Sequence, residues 1–364
     1  MYPRLSFFGL GRVWFHYARL LKKFYPDFSP FLLVDVDRCA IRRAKELFPD
    51  SHCCLRDDPT FNKYLHLTDL GLILTPSGDH YSTSKFLLEK GISVLSEKPS
   101  TLIPQQTLDL SDIAKRNNLF YGCVFQNRNN SAVRFAKTIL NSGRLGRILN
   151  CDINLFWSRD QEYYDDGWHG TWGMDGGVIS QQAIHHLDTA RYLCGEVASV
   201  VGIGTKFANH LEADDSFKAI LQFQSGAFGS LFATTALARK DLEASITITG
   251  RNGQICIGGV CLNKIESLYL SDDSETYFDS SSCNEVVENG YGNGHVAILE
   301  ALLNLNHSQQ LFDYSEYLMN HAIWPKPSDF SKTIQLVSSL YASWECETWV
   351  NLQSGKISSR LGIV

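Results

Sequence analysis

Four stretches of the chain bring together residue types that could do chemistry. Gly9-Leu10-Gly11-Arg12-Val13 follows an apolar run and opens a helical pattern. Two glycines so spaced let the backbone turn tightly and approach a pyrophosphate, whose charge a helix N-terminus stabilises. The third glycine of such turns is replaced by Trp14, so the helix is expected to sit differently against its strand. Asp35 ends a second apolar run, where a carboxylate can accept both hydroxyls of a ribose. An acid there repels a 2′-phosphate, so NAD is expected over NADP, with Arg38 as the opposing feature.

Thr75-Pro76-Ser77 and Ser96-Glu97-Lys98-Pro99 end two further apolar runs. Both would lie at the carboxyl edge of a parallel sheet, where ligands of such sheets bind. Lys98 there can set a positive charge beside a reacting oxygen; its position before proline keeps it extended, and an X-Pro bond can also be cis. His80 follows on a helix, as a ligand contact or as a cap or packing residue. Farther on, Asp175-Gly176-Gly177-Val178 leads into Gln181, Gln182, His185, His186 and Asp188. On one helix Gln181, Gln182, His185 and Asp188 share a face, and the glycine pair would admit a ligand beside it. His185, with an unperturbed pKa near ~6.5, suits proton removal from an alcohol. His186 points off that face and takes no role.

These residues need a scaffold, and the apolar periodicity supplies one. Strand-like runs at Arg4–Leu10, Phe31–Val36, Leu70–Thr75, Ser93–Leu95 and Phe120–Phe125 alternate with helical patterns through Val13–Phe24, Ile41–Leu47, Tyr81–Lys90 and the residues after Pro104. Strands without polar alternation, separated by helices, indicate a doubly wound parallel α/β sheet. From Cys151 onward, strand-like runs follow one another through Leu270, with Gly226, Gly250 and Gly253 as turns. That pattern indicates a largely antiparallel sheet, with helices at Ala132–Ser142, Val178–Leu193, Gly294–Leu305 and Thr333–Trp349 packed on it. Two domains are expected, 1–124 and 125–364.

The 364 residues are 44% apolar and 20% charged, with a net charge of −6. This is enough for two cores and argues against a basic nucleic-acid surface. No run of 18 apolar residues indicates a membrane span; the opening residues read as a strand rather than a signal peptide. The ten cysteines lack Cys-x-x-Cys spacing. They are read as reduced core residues of a cytoplasmic protein, and no metal site is expected.

The Gly-x-Gly turn, Thr75-Pro76…His80, Glu97-Lys98-Pro99, Gly143-x-x-Gly146 and Gly176-Gly177…His185-x-x-Asp188 occur in the order and spacing of the glucose–fructose oxidoreductase/inositol dehydrogenase (Gfo/Idh/MocA) family, which the chain resembles from Phe7 to about Tyr341. The resemblance implies an N-terminal Rossmann domain and a C-terminal α+β domain whose large open, mainly antiparallel sheet forms a homodimer or homotetramer. It implies catalytic roles for Lys98 and His185, and a cofactor held by Gly9, Leu10, Gly11, Arg12, Val13, Asp35, Thr75, Pro76, His80, Glu97, Lys98 and Gln126. A narrower resemblance, to the UDP-N-acetylglucosaminuronate 3-dehydrogenase branch, rests on Phe125-Gln126-Asn127-Arg128, Tyr163-Tyr164, Trp168-His169-Gly170-Thr171-Trp172 and Gln182-Ala183-Ile184-His185. In that branch His169 stands in place of an arginine and Val178 in place of a third glycine. Gln181 replaces the aspartate of inositol-type enzymes. Substrate contacts would come from Lys98, Asn127, Arg128, Tyr164, Trp168, His169, Gln181, Gln182 and His185.

The activity so implied is hydride transfer between nicotinamide and a ring hydroxyl or ketone, at C3 of a nucleotide-linked sugar. The alternatives are a dehydrogenase of a free cyclitol, aldose or diol, and a non-catalytic sugar- or dinucleotide-sensing protein, which would need neither Lys98 nor His185.

Overall fold

The computed structural model describes residues 2–271, 283–287, 290–303, 318 and 323–363. The chain divides into two compact units, Met1–Val124 with His295–Ser331 and Phe125–Gly294 with Lys332–Val364.

In the first unit β1 (Leu5–Phe8), α1 (Arg12–Phe24), β2 (Leu32–Asp35), α2 (Arg38–Leu47), β3 (His52–Leu55), α3 (Phe61–Leu65), β4 (Leu70–Ile73), α4 (His80–Glu89), β5 (Ser93–Ser96), α5 (Pro104–Arg116) and β6 (Tyr121–Cys123) follow in turn. The strands pair in parallel in the order β3-β2-β1-β4-β5-β6. Every residue of β1, β4, β5 and β6 is buried, the consequence of helices on both faces. β3 and α3 were not evident from the apolar pattern; His-Cys-Cys-Leu lies between Asp50-Ser51 and Arg56-Asp57-Asp58, and Cys54 alone of its four residues is fully buried. The order reverses between β1 and β4, which opens the crevice where such sheets bind ligands. Trp14, at the third-glycine position, is fully buried. Its ring meets Phe7 of β1 at 4.9 Å and Phe48 beyond α2 at 5.7 Å, so an indole occupies the space between helix and sheet. The same core takes in Ile298, Leu299, Leu302, Leu318 and Trp324.

The second unit contains α6 (Ser131–Asn141), β7 (Ile148–Phe156), α7 (Gln161–Tyr164), α8 (Val178–Gln181), α9 (Ile184–Cys194) and β8 (Val197–Thr205). β9 (Ser216–Phe223), β10 (Phe228–Thr234), β11 (Glu243–Gly250), β12 (Gly253–Gly258) and β13 (Lys264–Leu270) follow. Helices α10 (Gly294–Leu303) and α11 (Pro327–Cys346) and the short β14 (Val350–Asn351) complete the chain; positions 304 and 305 of the expected helix lie outside the described residues. The eight strands run β13-β12-β11-β7-β10-β9-β8-β14, antiparallel except for the parallel β7–β10 pair. Along β9, Phe217, Ala219, Leu221 and Phe223 are buried while Lys218, Ile220 and Gln222 point away. The inward face packs under α6, α8 and α9.

The single helix expected over Val178–Leu193 is two. The Ala183 N–H reaches back five residues to the Val178 carbonyl, and both the His186 and Leu187 N–H groups then take the Ala183 carbonyl. This slip breaks the ladder between Gln181 and Ile184, so the face assumed for Gln181, Gln182, His185 and Asp188 is not that of one continuous helix.

Candidate active site

The turn after β1 is built for a close backbone approach. Gly9 has φ +94°, and a Cβ there would fall 2.6 Å from the Leu74 carbonyl and the Thr75 nitrogen. Gly11 starts α1 without a side-chain cap, and a Cβ on it would meet nothing within 4 Å. Open space therefore faces an uncapped helix N-terminus. Beside it the Asp35 carboxylate accepts from three backbone N–H groups, of Leu10 at 2.6 Å, Val36 at 2.7 Å and Asp37 at 2.8 Å. These fix its direction at the end of β2. Thr75 Oγ1 is buried and has no hydrogen-bond partner among the described residues. Open space at Gly11, a fixed carboxylate and an unsatisfied hydroxyl fit a dinucleotide: Gly11 and Arg12 would hold its pyrophosphate, Asp35 its ribose. Leu10 contributes only its backbone, since its side chain is buried in the core.

The next strand end, with a cis Lys98–Pro99 peptide, is held by groups that sequence reasoning placed differently. His80 was expected at the cofactor, yet its Nδ1 lies 2.6 Å from the Pro99 carbonyl and its Nε2 2.8 Å from the Thr75 carbonyl. Both ring nitrogens are engaged, so His80 straps the two loops together. Glu97, also expected at the cofactor, is turned inward and buried. It takes the Tyr17 hydroxyl at 3.0 Å, His295 Nε2 at 3.3 Å and the Lys98 N–H at 3.2 Å. Burial pushes its carboxyl up, but His295, Lys98 and Tyr17 outweigh this and hold it below its ordinary value. Tyr17 was read only as part of an apolar helix face. The available signal was its hydroxyl, which needs a partner when buried.

In the second unit, half-buried His185 lies on α9 with Gln126 Nε2 at 3.4 Å from its Nε2 and the Phe125 ring edge-on at 6.1 Å. Gln126 thus meets the imidazole, and Asn127 is buried in the same turn. Arg128 was expected to contact the substrate. Instead its Nε and Nη2 form a two-pronged pair with Asp188 at 2.6 and 2.7 Å. Asp188 also accepts from Thr333 at 2.8 Å. Nor does the glycine pair make room for a ligand at Gly177: a Cβ there would collide with the Asp214 side chain and carbonyl. Ahead of α8, His169 Nδ1 sits 2.5 Å from Asp166, with the Trp168 and Tyr163 rings 3.6 and 4.2 Å from its own. Gln182 reaches the Tyr163 hydroxyl at 3.3 Å. The Tyr164 ring packs edge-on against Tyr163 at 5.0 Å, while its hydroxyl bonds Thr235 at 2.7 Å; burial raises its phenol pKa. Gln181 is buried on α8.

The family model for an oxidoreductase family with an NAD-binding Rossmann fold (GFO_IDH_MocA) matches residues 17–125, and the GFO/IDH/MocA C-terminal domain matches 133–256. The chain belongs to the Gfo/Idh/MocA family. Its first unit is therefore an NAD-binding domain. The whole fold resembles that of the WlbA dehydrogenase from Bordetella pertussis, solved with NADH and UDP-GlcNAcA. The two share 25% identity over 96% of this chain and 97% of that one, with a TM-score of 0.85. Among characterised Gfo/Idh/MocA relatives, scyllo-inositol 2-dehydrogenase (NAD(+)) of Bacillus subtilis is 25% identical over 78% of this chain and 84% of its own length. Levoglucosan dehydrogenase of Pseudarthrobacter phenanthrenivorans is 24% identical over 60% of this chain and 61% of its own length.

Proposed function

We propose that this Gfo/Idh/MocA oxidoreductase oxidises a ring hydroxyl, at C3, of a nucleotide-linked sugar. The observation that carries the substrate reading is the cluster of tilted Tyr163, Trp168 and His169 rings tied through Gln182 to the residues before α9, in a chain so similar to a structure holding UDP-GlcNAcA. Aromatic faces suit a sugar ring or a base, and His169 paired with Asp166 suits an anionic group. In this mechanism His185 takes the hydroxyl proton. The Lys98 ammonium stabilises the negative charge that develops on the same oxygen. Bound nicotinamide supplies the hydride acceptor. A free cyclitol, aldose or diol is the second reading, favoured by the likeness to scyllo-inositol 2-dehydrogenase.

The protein is proposed to act in the cytoplasm as a homodimer or homotetramer. What supports self-association is the outer face of the second sheet, where Ile203, Ile220, Phe228 and Tyr269 are exposed and point the same way by register. A thermal-shift screen with NAD present tests the substrate: UDP-linked N-acetyl sugars or their uronates should stabilise, and His169→Ala should weaken them more than NAD. For whichever sugar is turned over, Lys98→Ala and His185→Ala should each cut the rate ~10²-fold or more. Stabilisation by a cyclitol alone, with no response to any nucleotide sugar, gives the second reading.

A further inference from the structure

Glu97 bears charge where burial opposes it. The side chain is 8% exposed, and its two oxygens are divided between two tasks. Oε1 receives the Tyr17 hydroxyl and faces His295 Nε2; Oε2 receives the backbone N–H of Lys98. Tyr17 comes from α1 and His295 from α10, and their rings meet edge to face at 5.2 Å. His16 packs on His295 at 4.9 Å, and burial drives its pKa down to about 3, so it sits there neutral. His80 and Lys98 complete the groups whose charge the carboxylate feels, while Cys123 faces Tyr17 and Arg19 faces His16. A carboxyl this deep, stripped of its donors, would take up a proton. A neutral Glu97 would lose its attraction for the lysine ammonium next to it.

We propose that Tyr17 and His295 are positioning residues for Lys98: they keep Glu97 ionised, and Glu97 in turn fixes the Lys98 backbone and favours its protonated side chain. The coupling is reciprocal, because a lysine that stabilises the carboxylate is stabilised by it to the same extent. This rests on the catalytic reading of Lys98, yet the arrangement acts on the free enzyme and needs no substrate to be observed.

The experiment is an NMR titration of the full chain after reductive ¹³C-methylation of its lysines, with the Lys98 signal assigned by its loss in Lys98→Arg. Glu97→Gln should lower the Lys98 pKa. Tyr17→Phe and His295→Gln each remove one donor from Glu97 and should raise its carboxyl pKa by about 0.5 or more, followed on a ¹³C-labelled glutamate signal assigned by its loss in Glu97→Gln; in the double variant, where the buried carboxyl takes up its proton most readily, the Lys98 pKa should fall toward its Glu97→Gln value. Tyr17→Phe removes one oxygen and keeps the ring, so it tests the idea even if His295→Gln does not fold. NADH binding, followed by tryptophan fluorescence, reports that the nucleotide turn is intact. A Glu97 carboxyl titration unchanged in folded Tyr17→Phe overturns the proposal. Normal turnover by Lys98→Ala would instead overturn the catalytic reading while leaving this titration result standing.

Discussion

Gly9 and Gly11 stand two residues apart and are glycines for opposite reasons. Gly9 needs its positive φ and its missing Cβ because the backbone after β4 lies 2.6 Å from where a Cβ would be. Gly11 has an ordinary φ of −83° and empty space beside it, which a ligand requires and the fold does not. Gly9→Ala should therefore destabilise the apoprotein by about 2–4 kcal/mol. Gly11→Ala should melt within a degree or two of the parent yet bind NADH at least tenfold more weakly; thermal melts and a fluorescence titration separate the two. Equal melting of both variants would mean that Gly9 is not holding β1 against the β4 turn. This turn was legible because its chemistry is local. The roles of His80, Glu97 and Arg128 were not, because their partners are far along the chain: 19 residues from His80 to Pro99, 198 from Glu97 to His295 and 60 from Arg128 to Asp188. A polar side chain near a motif looks like a ligand contact until the group it actually bonds is located.

Helix α9 carries His185 on one turn and its anchors on the next. Asp188, Arg191 and the neighbouring Glu196 are bound to Arg128, Thr333 and Lys332, so α9 is fixed by charge-assisted bonds as well as by packing. Arg128 and Asp188 are 10% and 1% exposed, and burial makes the loss of one partner costly. Arg128→Ala should cost on the order of 3 kcal/mol and lower turnover, because the Gln126–His185 contact hangs from the same turn. Arg128→Lys should recover only part, since a lysine cannot make the two-pronged bond. Hydrogen exchange along α9 is the appropriate measurement, because a chain of two units need not unfold in one step. Protection of α9 equal to the parent's in Arg128→Ala would show that packing alone holds it. Strands longer than five residues were legible as elements because their apolar faces alternate over enough length. The break between α8 and α9 was not, since a single slipped hydrogen bond leaves the apolar period almost intact.

At the scale of the whole molecule, the return of His295–Ser331 to the first unit left no trace in the sequence pattern, because an apolar helix face does not say which core it joins. Asp214 was equally hidden: two consecutive acids at 214 and 215 look like a solvated loop, yet both are fully buried. Asp215 is satisfied by the N–H groups of Phe207, Ala208 and Asn209. Asp214 lies under Gly177, where burial pushes its carboxyl up to about 8; the Tyr341 hydroxyl and Val178 N–H pull it down, and Asp215 and Asp175 push it up again. A folded-state pKa above the ordinary 3.8 means that the native state holds this proton more tightly than the unfolded chain does. Its contribution to stability is then complete below about pH 4 and is lost as the pH rises to about 8, beyond which it changes no further. Asp214→Asn keeps the shape and removes the titration. Relative to the parent it should gain melting temperature steadily from pH 5 to pH 8 and then level off, in melts of both proteins across that range. A melting-temperature difference independent of pH would mean that Asp214 ionises in the fold as readily as in the unfolded chain, and that the Gly176-Gly177 turn rests on a charged group rather than a neutral one.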